Sequence, residues 1–289
     1  MTKRVHIVTE STADLPIELA QEHDIKVIPM SVEIAGATYQ DGVTITPEEL
    51  YQRMREEKVT PTTTQITPAQ YMQVFREIIE SGQIPVYIGF SSKLSGSFQS
   101  SVVAAGSFAE NEVYVLDTKA ASLGEGLLAL EAAKMASQGA EPQEIVSTIG
   151  AKAKTLEHLV VVDTLEYLAR GGRISNAKAF LGNILNLKPL IHVVDGALIP
   201  FETARTRKKA LRRLVTLMEE RGVDIQNQTV GISHADNLQT ATELKDLIAE
   251  RFGTKEFIIS TIGATIGAHA GPGTVAVFFY GVRQGGPGA

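Results

Sequence analysis

The chain has 289 residues, with 33 acidic against 27 basic side chains and a formal net charge of −6; 44% of residues are hydrophobic and 21% charged. That composition argues against disorder, and the length favours two domains. Cysteine is absent, which excludes disulfides, thiolate zinc or iron–sulfur sites and a cysteine nucleophile, and the mild acidity gives no electrostatic footprint for nucleic acid or an anionic membrane.

Short apolar runs alternate with amphipathic stretches, the pattern of an α/β protein. In the first half, strands are expected at Val5–Val8, Lys26–Val32, Val86–Phe90, Val113–Leu116 and Leu159–Val162. Helices are expected at Ile17–Glu22, Glu48–Glu57, Ala69–Glu80, Ser97–Phe108, Leu123–Ser137 and Pro142–Leu156. Two of them open on a hydroxyl cap, a proline and then Glu or Gln at the third position: Thr46-Pro-Glu-Glu49 and Thr67-Pro-Ala-Gln70, the signature of a capping box.

The pattern changes after about residue 157. Pro189–Val194 and Ala197–Glu202 flank Asp195-Gly196, a strong hairpin signal. A basic helix (Arg205–Arg221), a strand (Val230–Ser233), a helix (Leu238–Phe252), a strand (Phe257–Ile262), a glycine-rich loop and a strand (Val275–Tyr280) follow. The expectation is two α/β domains, residues 1–157 with a mainly parallel sheet and residues 158–281 with a mixed one. Residues 282–289 read as a disordered glycine-rich tail. No apolar run reaches the roughly 18 residues of a membrane span, and a strand-like segment begins at Arg4 with no signal peptide before it. A cytoplasmic protein is expected.

Four constellations carry chemical potential. Pro61-Thr-Thr-Thr-Gln65 sets three hydroxyls on a loop, able to donate to an anion or to cap the helix that follows. Ser91-Ser-Lys-Leu-Ser-Gly-Ser97 lies between a strand and a helix, where free amides and the helix dipole favour a negative group. It has neither the P-loop ending nor a Gly-x-Ser-x-Gly elbow. Gly263–Gly273 embeds His269 in a glycine-rich loop, and His234 after another strand offers a second imidazole. No histidine spacing suggests a metal site. Finally, Arg170-Gly-Gly-Arg173 and the run Arg205–Arg213 place basic groups on an acidic protein, suited to an acidic partner or a phosphate.

Taken together, Ser11-Thr-Ala-Asp-Leu15, the threonine stretch, Ser91–Gln99, Leu165–Ile174 and Ile266–Gly273 resemble the DegV family in order and over nearly the whole chain. The resemblance implies two α/β domains with a long-chain fatty acid of the palmitate or oleate class buried between them, and no other cofactor. It further implies a substrate-presenting subunit, not itself an enzyme, that offers the fatty acid carboxylate to a fatty acid kinase. Carried over by motif, Thr63, Ser95 and Gly96 bind the carboxylate, His269 lies beside it, and Arg173 and Arg205 face the kinase. One departure is Thr63-Thr64-Gln65-Ile66, where the family often has Thr-Ser-Gln-Pro: the hydroxyl is kept and the proline lost. At about 0.8 kcal/mol per methylene, a chain of about 15 methylenes contributes on the order of 12 kcal/mol gross on burial. Two other readings stay open on residues alone: a stand-alone phosphotransferase or hydrolase using Ser91–Ser97 as a phosphate cradle with His269 as base, and a scaffold using the basic patch.

Overall fold

The computed structural model describes residues 4–174 and 187–282. In chain order the first part comprises β1 (Val5–Glu10), α1 (Ile17–Glu22), β2 (Lys26–Ile28), β3 (Ser31–Ile34), β4 (Ala37–Gln40), α2 (Pro47–Glu56) and β5 (Thr62–Thr64). It continues with α3 (Pro68–Glu80), β6 (Ile84–Gly89), α4 (Ser97–Ala105), β7 (Tyr114–Asp117), α5 (Leu123–Ser137) and α6 (Pro142–Ala153). The second part begins with β8 (Leu156–Val161), α7 (Glu166–Arg170), β9 (Lys188–Val194) and β10 (Ala197–Ala204). Then come α8 (Arg207–Arg221), β11 (Thr229–His234), α9 (Leu238–Phe252), β12 (Glu256–Thr261), α10 (Ala264–Ala270) and β13 (Val275–Tyr280).

The expected contrast between the two sheets holds. One sheet, in the order β2-β1-β6-β7, is parallel throughout; the other, β10-β9-β8-β13-β11-β12, is antiparallel except where β11 meets β12. Both capping boxes form: Thr46 and Glu49, like Thr67 and Gln70, each satisfy the other's backbone N–H. Asp195 and Gly196 both take positive φ, +47° and +81°, the primed turn that matches strand twist. The expected boundary near Glu157 lies within β8, and the expected tail falls outside the described residues from 283 onward.

Three local expectations are corrected. The single strand Lys26–Val32 is two: β2 pairs with β1, whereas β3 belongs to a separate small sheet β4-β3-β5. Pro29 between them has no N–H to extend a ladder, and Met30 N donates instead to Ser11 Oγ at 3.1 Å. The threonine stretch is β5, an edge strand antiparallel to β3 with Thr63 opposite Val32, not a loop. The helix expected to reach Leu156 ends at Ala153, because Leu156 starts β8.

Two faces of the mixed sheet are buried against different things. Along β8, Leu159 and Val161 point into a core with α8 and α9, while His158, Val160 and Val162 face a cavity. β13 repeats the alternation, with Val275, Val277 and Phe279 in the core and Ala276 and Phe278 on the cavity side. Strands enclosed on both faces read as continuous apolar runs, as Leu159–Val162 and Val275–Phe279 do. α5 explains its own sequence in the same way. It is apolar around most of its circumference because one side packs under the parallel sheet and the other, through Leu123 and Leu127, against Ala276 and Phe278.

Candidate functional site

The cavity of about 340 Å³ lies between the mixed sheet and the C-terminal ends of the parallel strands, within the ~300–1,000 Å³ range of small-molecule sites. Its body is apolar, with Phe90, Leu94, Val160, Ile191, Leu198 and Phe278 among its walls. One end is polar. There Thr63 from β5, Ser95 and Gly96 from the turn before α4, and His269 from α10 all line it.

Each of these side chains has a local reason for its place. Thr63 Oγ1 lies 2.8 Å from His269 Nε2, joining β5 to α10. Ser95 Oγ accepts from Ser97 N at 3.1 Å and donates to Ser97 Oγ at 3.2 Å, which caps the start of α4. At Gly96 a Cβ would stand 2.0 Å from Gln65 Oε1, so a side chain there would displace the Gln65 amide. Ser91, by contrast, donates to Gly196 O at 2.8 Å, tying its loop to the β9–β10 turn.

His269 is the main correction to the sequence reading. The Gly263–Gly273 segment contains a helix, α10, and His269 stands in its last turn. The segment's glycines have different roles: a Cβ on Gly267 would approach Tyr51 Oη to 2.4 Å, whereas Gly271 and Gly273 adopt φ +78° and +83°. Asp41 accepts from Ala264 N and Thr265 N at 2.7 and 2.9 Å, which satisfies the first turn of a helix the glycine count disguised. Burial lowers the His269 imidazole to about 4, and the nearby Arg173 guanidinium pushes the same way. The ring is therefore neutral near pH 7.

Arg173 is brought into this group. It lines the cavity, and its Nε and Nη1 donate to Leu94 O at 3.1 Å and Gly171 O at 2.6 Å. The two glycines before it have separate jobs. A Cβ on Gly171 would lie 2.2 Å from His269 Nδ1, whereas Gly172 adopts φ +69°. Arg205 is not brought in; it is exposed, immediately ahead of α8 and its cap Thr206. The basic run is also partly neutralised, because Arg207 pairs with Asp163 and Arg213 with Glu202 and Glu220. His234 is the last residue of β11, and its Nδ1 accepts from Asn237 N at 3.3 Å; it does not line the cavity.

Residues that sequence reasoning passed over include His158 in the cavity floor. Its Nε2 accepts from Ala121 N at 3.3 Å, its ring meets Phe278 edge-on, and burial lowers it to about 4. Thr12, Ser122 and Thr265 also line the cavity. Behind them lie buried acids. Glu125 accepts from Thr9 and Thr12, Asp14 from Ser122 and Gly263 N, and Glu10 from Tyr87, and desolvation pushes all three carboxyls above their ordinary range. The nearest sequence signal was Ser11–Leu15, present as a motif but with no role that spacing could supply. No group of acidic and histidine side chains among the described residues could hold a metal ion.

The DegV family model matches residues 4–282 of this chain. The chain belongs to the DegV family. A DegV domain-containing protein of Caldanaerobacter subterraneus subsp. tengcongensis is 38% identical over 277 residues, covering 96% of this chain and 99% of the relative. Among solved structures, a DegV family protein from Thermus thermophilus described for its fatty acid binding superposes with a TM-score of 0.89 at 33% identity, covering 96% of this chain and 100% of that one. DegV from Bacillus subtilis, described as a fatty acid binding protein, gives 0.86 at 30% identity, with 96% and 100% covered. The DegV fold thus supplies the two α/β layers and the cavity between them. Among the described residues no helix is long and apolar enough to cross a membrane.

Proposed function

We propose that this DegV protein binds a long-chain fatty acid of the palmitate or oleate class, with its carboxylate at Thr63, Ser95, Gly96 and His269 and its chain along the apolar wall. The observation that carries this reading is one cavity with two hydroxyls and an imidazole at one end and an apolar body beyond. The two solved DegV proteins described as binding fatty acids support it.

The donor geometry is specific. For Thr63 to donate to a carboxylate, its oxygen must accept from His269, so the neutral imidazole carries its proton on Nε2. Ser95 then turns its hydroxyl proton from Ser97 Oγ to the ligand. Charge-assisted bonds of this kind offset the desolvation of the carboxylate. The apolar body supplies affinity, and nothing in this reading asks the protein itself to break a bond.

The loaded protein presents its carboxylate to the catalytic subunit of a fatty acid kinase, which forms the acyl phosphate; such a partner places it in the cytoplasm. Arg173, half-buried in the cavity wall, and the exposed Arg205 are the partner-facing cations in this reading. Reconstitution with palmitate, ATP and a kinase catalytic subunit tests it. Arg205→Ala is expected to slow acyl-phosphate formation several-fold while palmitate affinity holds, and an equal loss of both, or no loss in turnover, overturns the docking role.

A further inference from the structure

Besides Thr63, Ser95 and His269, a second polar patch lines the same cavity. Thr12, Ser122 and Thr265 form it. Asp14 ties the patch together, accepting from Ser122 Oγ and, at 2.7 Å, from Gly263 N at the start of α10. Thr12 Oγ1 donates to Glu125 Oε2 at 3.0 Å. Ser122 is held at φ +54°, an uncommon conformation for a residue with a side chain, of the kind that clusters at ligand sites.

Thr265 is the unusual member. It is 3% exposed, and its Oγ1 is buried without a hydrogen-bond partner among the described residues. Leaving a buried hydroxyl unpaired is unfavourable by about 1–3 kcal/mol, and valine would fill the same volume without that penalty. The three hydroxyls are also complementary. Thr12 and Ser122 give their protons to acids behind the wall, and Ser122 also accepts from Ser233 Oγ at 3.1 Å, so each has acceptor capacity left but no proton to give, while Thr265 retains both a donor and an acceptor. A plain methylene chain leaves the Thr265 hydroxyl unpaired.

A hydroxyl on the ligand answers this arrangement, donating to a Thr12 or Ser122 oxygen and accepting from Thr265. Thr265 stands one turn before His269 on α10, roughly 6 Å along the helix axis. The matching ligand group therefore lies in the carboxyl-proximal half of the chain. Resting on the fatty-acid reading above, we propose that the cavity prefers fatty acids hydroxylated near the carboxylate over unsubstituted ones, with Thr265 as the specificity-determining residue.

Calorimetric titration of the delipidated full chain tests this with palmitate, its 3-, 5- and 7-hydroxy derivatives, and 16-hydroxypalmitate as a distal control. At least one proximal hydroxy acid is expected to bind about 5–10-fold tighter than palmitate, the worth of one satisfied hydroxyl pair, and the distal one to show no advantage. Thr265→Val should bring that affinity ratio to about one, and Thr265→Ser should keep it. A wild-type protein without the preference, as when water fills the patch, overturns the proposal, and so does an unchanged ratio in Thr265→Val. Failure to bind any of these acids strikes the fatty-acid reading itself, a different result from binding all of them equally.

Discussion

Replacing Thr63 by valine removes one hydroxyl and keeps the β-branched shape that suits an edge strand. In the protein that oxygen lies 2.8 Å from His269 Nε2 and lines the polar end of the cavity. Its loss takes one hydrogen bond from the carboxylate and one from the imidazole. A hydrogen bond to a charged group contributes about 1.5–3 kcal/mol, so palmitate binding should weaken roughly 10- to 150-fold. Methyl palmitate serves as the control. It has the same chain but no charge, so its affinity should fall by a neutral hydrogen bond at most, about 0.5–1.5 kcal/mol. Displacement of a fluorescent fatty acid, measured for acid and ester on both proteins, reads the difference. If acid and ester weaken by the same factor, or palmitate stays within about threefold of the wild-type value, Thr63 shapes the cavity and does not bind the carboxylate.

Acid sensitivity should trace in part to His158. Its pKa is about 4 in the folded protein against 6.5 for the free side chain, so the unfolded chain takes up the proton first. Stability from this group is complete above pH 6.5 and is lost as pH falls toward 4, about 2 kcal/mol of it between pH 7 and 5. Urea unfolding should show a smaller drop over that range for His158→Gln, and parallel drops would contradict the assignment. Gly267→Ala should lower the melting temperature and cost about 1–3 kcal/mol by overpacking, because its Cβ would stand 2.4 Å from Tyr51 Oη. A melting temperature equal to wild type would show that Tyr51 moves aside freely.

Much of the fold was legible because local signals and packing agree. The capping boxes at Thr46 and Thr67, the Asp195-Gly196 turn and the two helices Leu123–Ser137 and Leu238–Phe252 fall where the residues point. What misled was chemistry satisfied from a distance. α10 is glycine-rich, yet it forms because Asp41, 223 residues away in sequence, caps it and because Tyr51 needs the space beside Gly267. β5 is three threonines with no alternation to read, and only its pairing with β3 makes it a strand. At the site, Thr63, Ser95, Gly96 and His269 line one cavity. Arg173 joined them because Leu94 O and Gly171 O receive it, contacts that follow from the turn after α7 and have no signature in spacing. His158, just before the expected strand Leu159–Val162, and Thr265, within the expected loop, carried no signal of their own; their meaning depends on which face of β8 and of α10 meets the cavity.

A fatty acid held in the cavity by its carboxylate should stay with the protein through purification. Organic extraction of the purified chain, with mass spectrometry of the extract, tests it most directly. Fatty acids in near-stoichiometric amount, or saturable one-to-one uptake of added palmitate or oleate by stripped protein, is the predicted result. An extract free of fatty acid from a chain that also takes up neither acid would contradict the account.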